Sequence, residues 1–511
     1  AFMAGKADPS QATTLHEEAF EIIQLAQTSS AAFALAQMTA RIKSGNTVLA
    51  RTIRSQQDLL GRWRKLDKQL IGELSKPNDK RSPNQETRLR NDIKETSRTL
   101  DALNQRLEEE FPQYAELVSS KPLQVAEVQK LLGTEEALVL YNGRYAWVVI
   151  RDTFRMLDLD IDQEELASAV SEIRASFNLV KGKVPPFPHS AAYALYKKIF
   201  EPIEAKLSGI RQVMVVPYGP LTSLPLSVLV RSSYTGDGEP EWLSKKYAFT
   251  TLPSVSSLKA LRVLAMKRGP GPDPFTGFGD PVLEGDPNDR RGLAIVPIFN
   301  NGDKADITTL RQLPALPETG EELRVIARRL GAQTDTVYLK GLATEARVKT
   351  LDLSKTNVVA FATHGLIAGE IKGWAEPGLV LTPPATASNN DDGVLTASEV
   401  AQLKLHPGLV ILSACNTAAA DGTPGAEGLS GLAKAFFYAG SQSILVSHWA
   451  VPSEAAKLLT TGMFERLKEN PGLGYTEALR RSMMALASNQ NYSHPIYWAP
   501  FVVVGEGNGG I

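Results

Sequence analysis

The chain has 511 residues, 55 Lys and Arg against 56 Asp and Glu, a formal net charge of −1, and 43% hydrophobic and 22% charged residues. Such a balance belongs to a globular protein and offers no concentrated basic surface for coating a nucleic acid. The apolar runs are strand-length, well short of the roughly 20 residues a bilayer-crossing helix needs, and residues 1 to 30 carry no basic start with an apolar signal core.

The length exceeds what one hydrophobic core supports, so about three units of roughly 120 to 200 residues are expected. The opening Ala1-Phe2-Met3 falls in mid-pattern, as expected of a piece of something longer. Residues 1–125 read as helical. Phe20, Ile23, Phe33, Leu35 and Met38, then Ile53, Leu60, Trp63, Leu66 and Leu70, recur at helical spacing. The polar turn Lys76 to Pro83 separates them from a further stripe through Leu89, Ile93, Leu100, Leu103 and Leu107. Two long antiparallel helices are the simplest reading. They are either the last layer of a helical repeat array or a hairpin capping the next domain.

Beyond residue 137 the period changes to strands alternating with helices. Ala137–Tyr141 and Ala146–Ile150 flank Asn142-Gly143, a hairpin turn signal. Helices are expected near 164–178 and 190–207, then a strand at Gln212–Pro217. The stretch Lys267 to Asp306, rich in Gly, Pro and Asp, reads as a linker or long surface loop. After it come a helix near 319–330, a strand to His364, a helix near 396–404, a strand to Cys415, a helix near 427–439, a strand Ser443–Trp449, two more helices and a closing strand Ala499–Val504. Such alternation implies a parallel sheet with helices on both faces and sites at the carboxyl ends of its strands.

Two of those ends carry chemistry. Leu409 to Ala414 is an apolar run ending in Cys415, the single cysteine, and Asn357 to Thr363 is another ending in His364-Gly365. A thiol is mostly protonated at neutral pH, so a nucleophilic cysteine needs a neighbouring base, which an imidazole supplies. The backbone N–H groups of Gly365 and Cys415 could stabilise an oxyanion. A lone cysteine after a strand is commonly a small buried hydrophobe, but matched strand-end positions favour a dyad. No third member is evident. His448 ends another strand and is the rival base, while His406 and His494 read as loop residues. Ser413 and Asn416 are read as shaping the nucleophile's loop. With one cysteine an intrachain disulfide is impossible, as suits a reducing cytoplasm. No ligand pair stands at metal spacing, the loop Asp421 to Gly428 lacks the lysine of a phosphate cradle, and no cofactor is expected.

At these residues the sequence resembles the CHAT peptidases, caspase-like cysteine proteases attached to tetratricopeptide (TPR) helical repeats and related to separase. The resemblance rests on Ala362-Thr363-His364-Gly365, Leu412-Ser413-Ala414-Cys415-Asn416-Thr417, Glu427-Gly428-Leu429 with Ala433 to Gly440, Ser447-His448-Trp449-Ala450-Val451, and Trp498-Ala499-Pro500-Phe501. It implies a caspase-type α/β fold, with a helical region at 1–125, a degenerate, pseudo-protease half at 126–305 and an active half at 306–511, in which His364 is base and Cys415 nucleophile. In separase-like relatives an acidic residue after the Trp-x-Val stretch lines the pocket for a basic P1 side chain. Here Pro452-Ser453-Glu454 follows, so Glu454 with Ser453, Asp421 or Glu427 are the candidates for substrate binding. The resemblance further implies a cytoplasmic endopeptidase of bacterial defence or cell death, with protein substrates and a regulatory protein docking on the helical region. A silent binding scaffold and a small-molecule amidase are the rival readings. The loops at 365–378 and 421–428 are the segments expected to move.

Overall fold

The computed structural model describes residues 9–27, positions scattered between 52 and 74, and residues 81–110, 122–180, 182–267, 271–286, 305–366, 377–388, 390–413 and 431–509. The chain forms two compact units, residues 1–34 with 121–511, and residues 35–120.

The smaller unit holds the helix Pro83–Glu110. Its exposed face carries Glu86–Arg90 and Arg106–Glu110 pairs at four-residue spacing. Trp63 donates its indole N–H to Ser97 at 3.0 Å, and the N–H of Ser82 bonds the Glu73 carboxylate at 2.8 Å, so two helical stretches lie side by side. The earlier helix, Pro9–Ala26, belongs instead to the larger unit. There Phe20 is fully buried against the edge of Phe154, and the Gln24 side chain bonds both N–H and C=O of Leu123.

The larger unit is an α/β fold built on one mixed sheet. Its strands are β1 Glu136–Asn142, β2 Tyr145–Ile150, β3 Thr153–Asp158, β4 Gln212–Val216, β5 Ala248–Thr251, β6 Asp273–Gly279, β7 Val337–Leu339, β8 Thr356–Ala362, β12 Leu409–Leu412, β13 Ser443–Ser447 and β14 Phe501–Gly505; β9 Gly365–Leu366, β10 Gly378–Val380 and β11 Val394–Thr396 form a small separate sheet. The order across the large sheet is β3-β2-β1-β4-β5-β14-β13-β12-β8-β6-β7. β14 runs antiparallel to β13 and parallel to β5, so it joins the two halves of the sheet. The Asn142-Gly143 hairpin forms as the sequence predicts, with Gly143 at φ +56°.

Side chains alternate across β8. Val358, Ala360 and Ala362 enter the core shared with the helices Pro317–Arg329 and Ser453–Glu469, whereas Phe361 meets Phe436 of the helix Gly431–Ala439 on the other face. Layers on both faces explain why β8, β12 and β13 are buried throughout, or nearly so, and read as continuous apolar runs.

Two expectations need correction. The sheet is mixed, not parallel throughout, since β1–β2–β3 and β13–β14 pair antiparallel. The stretch read as linker, 267–306, contains β6, which lies between β8 and β7. Its glycines disguised it. A Cβ on Gly277 would lie 2.8 Å from the Phe275 ring, and one on Gly279 would lie 2.6 Å from Leu323 of the helix Pro317–Arg329. Glycine in this strand therefore marks a close helix approach, not a turn.

Gly440 ends the helix Gly431–Ala439 at φ +126°, where an added Cβ would fall 1.9 Å from the Leu405 carbonyl oxygen. Gly440→Ala is expected to cost at least about 1–3 kcal/mol from backbone conformation alone. A urea midpoint equal to that of the native chain would refute this.

Candidate active site

β8 runs apolar to Ala362 and delivers Thr363 and His364 at its carboxyl end, both buried. Thr363 donates its hydroxyl to the Val380 carbonyl, and the His364 carbonyl accepts from the Val380 N–H at 2.9 Å, so β10 fixes the backbone on both sides of the imidazole. The His364 ring places Nε2 2.8 Å from the carbonyl oxygen of Pro314. A carbonyl only accepts, so Nε2 carries the proton, and Nδ1 is the basic nitrogen of the neutral ring. This orienting group is a backbone atom. Sequence reading, which looks for a carboxylate or amide side chain, had no means of finding it.

β12 pairs parallel with β8, Leu412 opposite Phe361. One residue on, Ser413 bonds by its N–H to the Phe361 carbonyl at 2.9 Å and by its hydroxyl to Glu322 at 3.3 Å. Glu322 is a buried carboxylate on the helix Pro317–Arg329 and accepts a second bond, 2.8 Å, from Thr460 of the helix Ser453–Glu469. The segment 314–322 thus holds His364 through Pro314 and the end of β12 through Glu322. Ser413 is thereby fixed at the end of β12, the strand that runs on to Cys415. Ala414 to Ser430 lie outside the described residues, and with them Cys415, Asn416, Asp421 and Glu427. Residues 367–376 lie outside them too.

Glu322→Ala would leave the buried hydroxyl of Ser413 without this acceptor, at about 1–3 kcal/mol, while Thr460 keeps the carbonyls of Ala456 and Lys457. Glu322→Gln keeps an acceptor oxygen and is expected to cost less. Thermal melts that rank the two variants the other way would overturn this account.

Two other histidines, His448 and His494, are held within the fold. His448 follows β13, is almost fully buried, donates its backbone N–H to Pro500 at 2.8 Å, and has its pKa pushed down to about 3 by burial and by the nearby Arg174 charge. A base that weak lies roughly 5 pH units below a free thiol, so it is a poor rival to His364. His494 caps the helix Pro495–Trp498 by accepting from the Ile496 N–H at 3.1 Å, and burial lowers its pKa to about 4. Glu454 stands in the first turn of the helix Ser453–Glu469, its side chain 53% exposed and paired with Lys457 at 3.1 Å. That is a helix-start acid facing solvent. Ser453 opens the same helix, and Gly365 opens β9, opposite Leu379.

At the ends of β6 and β7, Asp280 and Lys340 are the two described residues other than glycine at positive φ, 45° and 51°, and they pair at 2.7 Å. Among the described residues no group of three His, Cys, Asp or Glu is placed to hold a metal ion, and no helix is long and apolar enough to cross a membrane.

Tetratricopeptide repeat protein 28 of Homo sapiens is 26% identical over 355 residues, and that of Mus musculus is equally similar. The match takes in 61% of this chain but only 13% of either relative, so the chain spans a small part of their length. Among solved structures, the Arg-specific cysteine proteinase gingipain R is 13% identical with a TM-score of 0.35 over 68% of this chain and 76% of that one. Separase in its complex with securin, from Saccharomyces cerevisiae, is 9% identical with a TM-score of 0.40 over 77% and 31%. Such values say nothing about shared chemistry. The family profile described as CHAT domain matches residues 189–506, which span every strand from β4 to β14 as well as His364 and Cys415. The chain belongs to the CHAT domain family.

Proposed function

We propose that the chain is a cysteine endopeptidase in which His364 is the base and Cys415 the nucleophile. The observation that carries this reading is the 2.8 Å contact between His364 Nε2 and the Pro314 carbonyl. It fixes the tautomer, turns the basic nitrogen away from that carbonyl, and stabilises the imidazolium that forms when a thiol proton is taken. The thiolate adds to the scissile carbonyl carbon, the resulting oxyanion takes hydrogen bonds from the N–H groups of Gly365 and Cys415, and the imidazolium returns its proton to the leaving amine as the C–N bond breaks. Water then hydrolyses the thioester by the same base.

The finer reading is a regulated cytoplasmic protease that cleaves a small set of protein partners in bacterial defence or cell death. Residues 126–305 act as the degenerate half, and the helical region is a docking surface for a regulator. This part is supported by the family resemblance of the motifs. The curated relatives are described as tetratricopeptide repeat proteins, which fits a helical partner-binding region beside a CHAT domain.

Intact-mass labelling with peptidyl acyloxymethyl ketones varied at P1 tests the reading, because Cys415 is the only thiol. Rapid labelling that depends on P1 and disappears in Cys415→Ala supports a peptidase. Slow labelling indifferent to P1 would sink it in favour of a binding scaffold.

A further inference from the structure

Arg174 closes the helix Gln163–Ala175 and reaches from the N-terminal half of the sheet to the site end of β13. One guanidinium nitrogen donates to the Ser223 carbonyl and the other, at 3.4 Å, to the carbonyl of His448. The group is largely desolvated, yet it forms no ion pair with any described carboxylate. The neighbouring titratable group, His448, is neutral near pH 7, so it neither repels nor compensates the guanidinium. Two backbone carbonyls occupy two of five N–H donors. Those that remain are not among the sealed polar atoms lacking partners. A cation largely removed from water normally has an anion beside it, and none of the described residues supplies one.

Its place matters as much as its charge. β13 adjoins β12, and the register Ile411 to Leu445, carried on two residues, sets Ser447 level with Ser413. The carbonyl that Arg174 grips is thus about one strand spacing, roughly 4.8 Å, from the strand that runs on to Cys415. Phe177, one turn further on, stacks on Trp449 with ring centroids 3.9 Å apart, which fixes the Arg174 segment against that strand end. Strand ends of this kind are where α/β sheets place ligands.

We infer that Arg174 is a specificity-determining residue that takes the side-chain carboxylate of an Asp or Glu in a peptide bound across the ends of β12 and β13. This rests on the reading of the chain as a peptidase with a peptide groove at that end of the sheet. It sets an acidic recognition element against the basic one that Glu454 would have served. Guanidinium and carboxylate match as a two-pronged hydrogen-bonded pair, so an amide in place of the acid is a poor substitute.

The test uses the full chain carrying Cys415→Ala and fluorescein-labelled hexapeptide pairs that differ only by Asp against Asn at one of three successive positions. One pair should show the Asp peptide binding at least about tenfold tighter at low salt. Arg174→Met should reduce that ratio to within about twofold, and Arg174→Lys, which keeps the charge but loses the fork, should hold only part of it. No Asp preference at any position, or a preference that survives Arg174→Met, overturns the inference. Should Arg174→Met fail to fold by circular dichroism, an undiminished ratio in Arg174→Lys overturns it equally. Labelling of the native chain separates the two readings. Arg174-dependent binding without labelling would remove the peptidase and leave the site, whereas P1-dependent labelling without Asp preference would do the reverse.

Discussion

Replacing His364 by alanine is expected to slow alkylation of Cys415 at pH 7 by about thirtyfold, the ratio of a fully ionised thiol to one that is about 3% thiolate. A free thiol with a pKa near 8.5 is only a few per cent thiolate at pH 7. In the native chain, the proposed base, oriented by Pro314, is expected to take the thiol proton, and the resulting ion pair should keep the labelling rate flat down through neutral pH. In the variant the rate should climb about tenfold per pH unit until the thiol titrates on its own, so the two profiles converge above pH 9. Superimposable profiles would show that His364 is not the base. A variant that is slow at every pH would show that it does more than move a proton.

Arg262→Met is expected to destabilise the larger unit by about 3–5 kcal/mol, the cost of removing one partner from a buried ionic group. Arg262 lies on the helix Val255–Lys267 and pairs with Glu136 at 2.6 Å and Glu506 at 2.7 Å, side chains only 7% and 6% exposed. Those acids sit at the start of β1 and just past β14, so three elements meet at one guanidinium. Burial already raises the pKa of Glu506, with Arg262 opposing. A carboxyl whose folded pKa is raised favours the fold while protonated, and that advantage is lost as pH rises through the unfolded and then the folded value. Without Arg262 the folded pKa climbs further, so the deficit of the variant should grow from pH 5 to pH 7.5. Urea midpoints at the two pH values check it, and a deficit that shrinks as pH rises would refute the ionic account.

Much of the fold was legible because β8, β12 and β13 are covered on both faces and announce themselves as apolar runs, with His364 at the end of one. What escaped was carried by atoms or separations without a sequence signature. β6 was hidden by Gly277 and Gly279, which serve helix packing. Pro314 contributes only its carbonyl. Glu322 lies 91 residues from the serine it holds, and Arg174 lies 274 from His448, distances at which no motif spacing operates. The antiparallel strands at the junction were missed for another reason. Direction is set by the connections between strands, and a buried strand reads the same either way.

The way β14 joins the halves bears on how the chain is made. Val503 pairs with Thr250 and Leu445 with Val503, so one late strand bridges partners that were synthesised far earlier. β14 follows every other strand of the sheet in sequence. Until it leaves the ribosome, β5 and β13 present bare edges with unpaired N–H and C=O groups, the kind of surface that recruits chaperones or seeds aggregation. Pairing at so large a sequence separation is slow to form. The larger unit is therefore expected to become protease-resistant abruptly, when its last strand docks, and not in two stages as each half is completed.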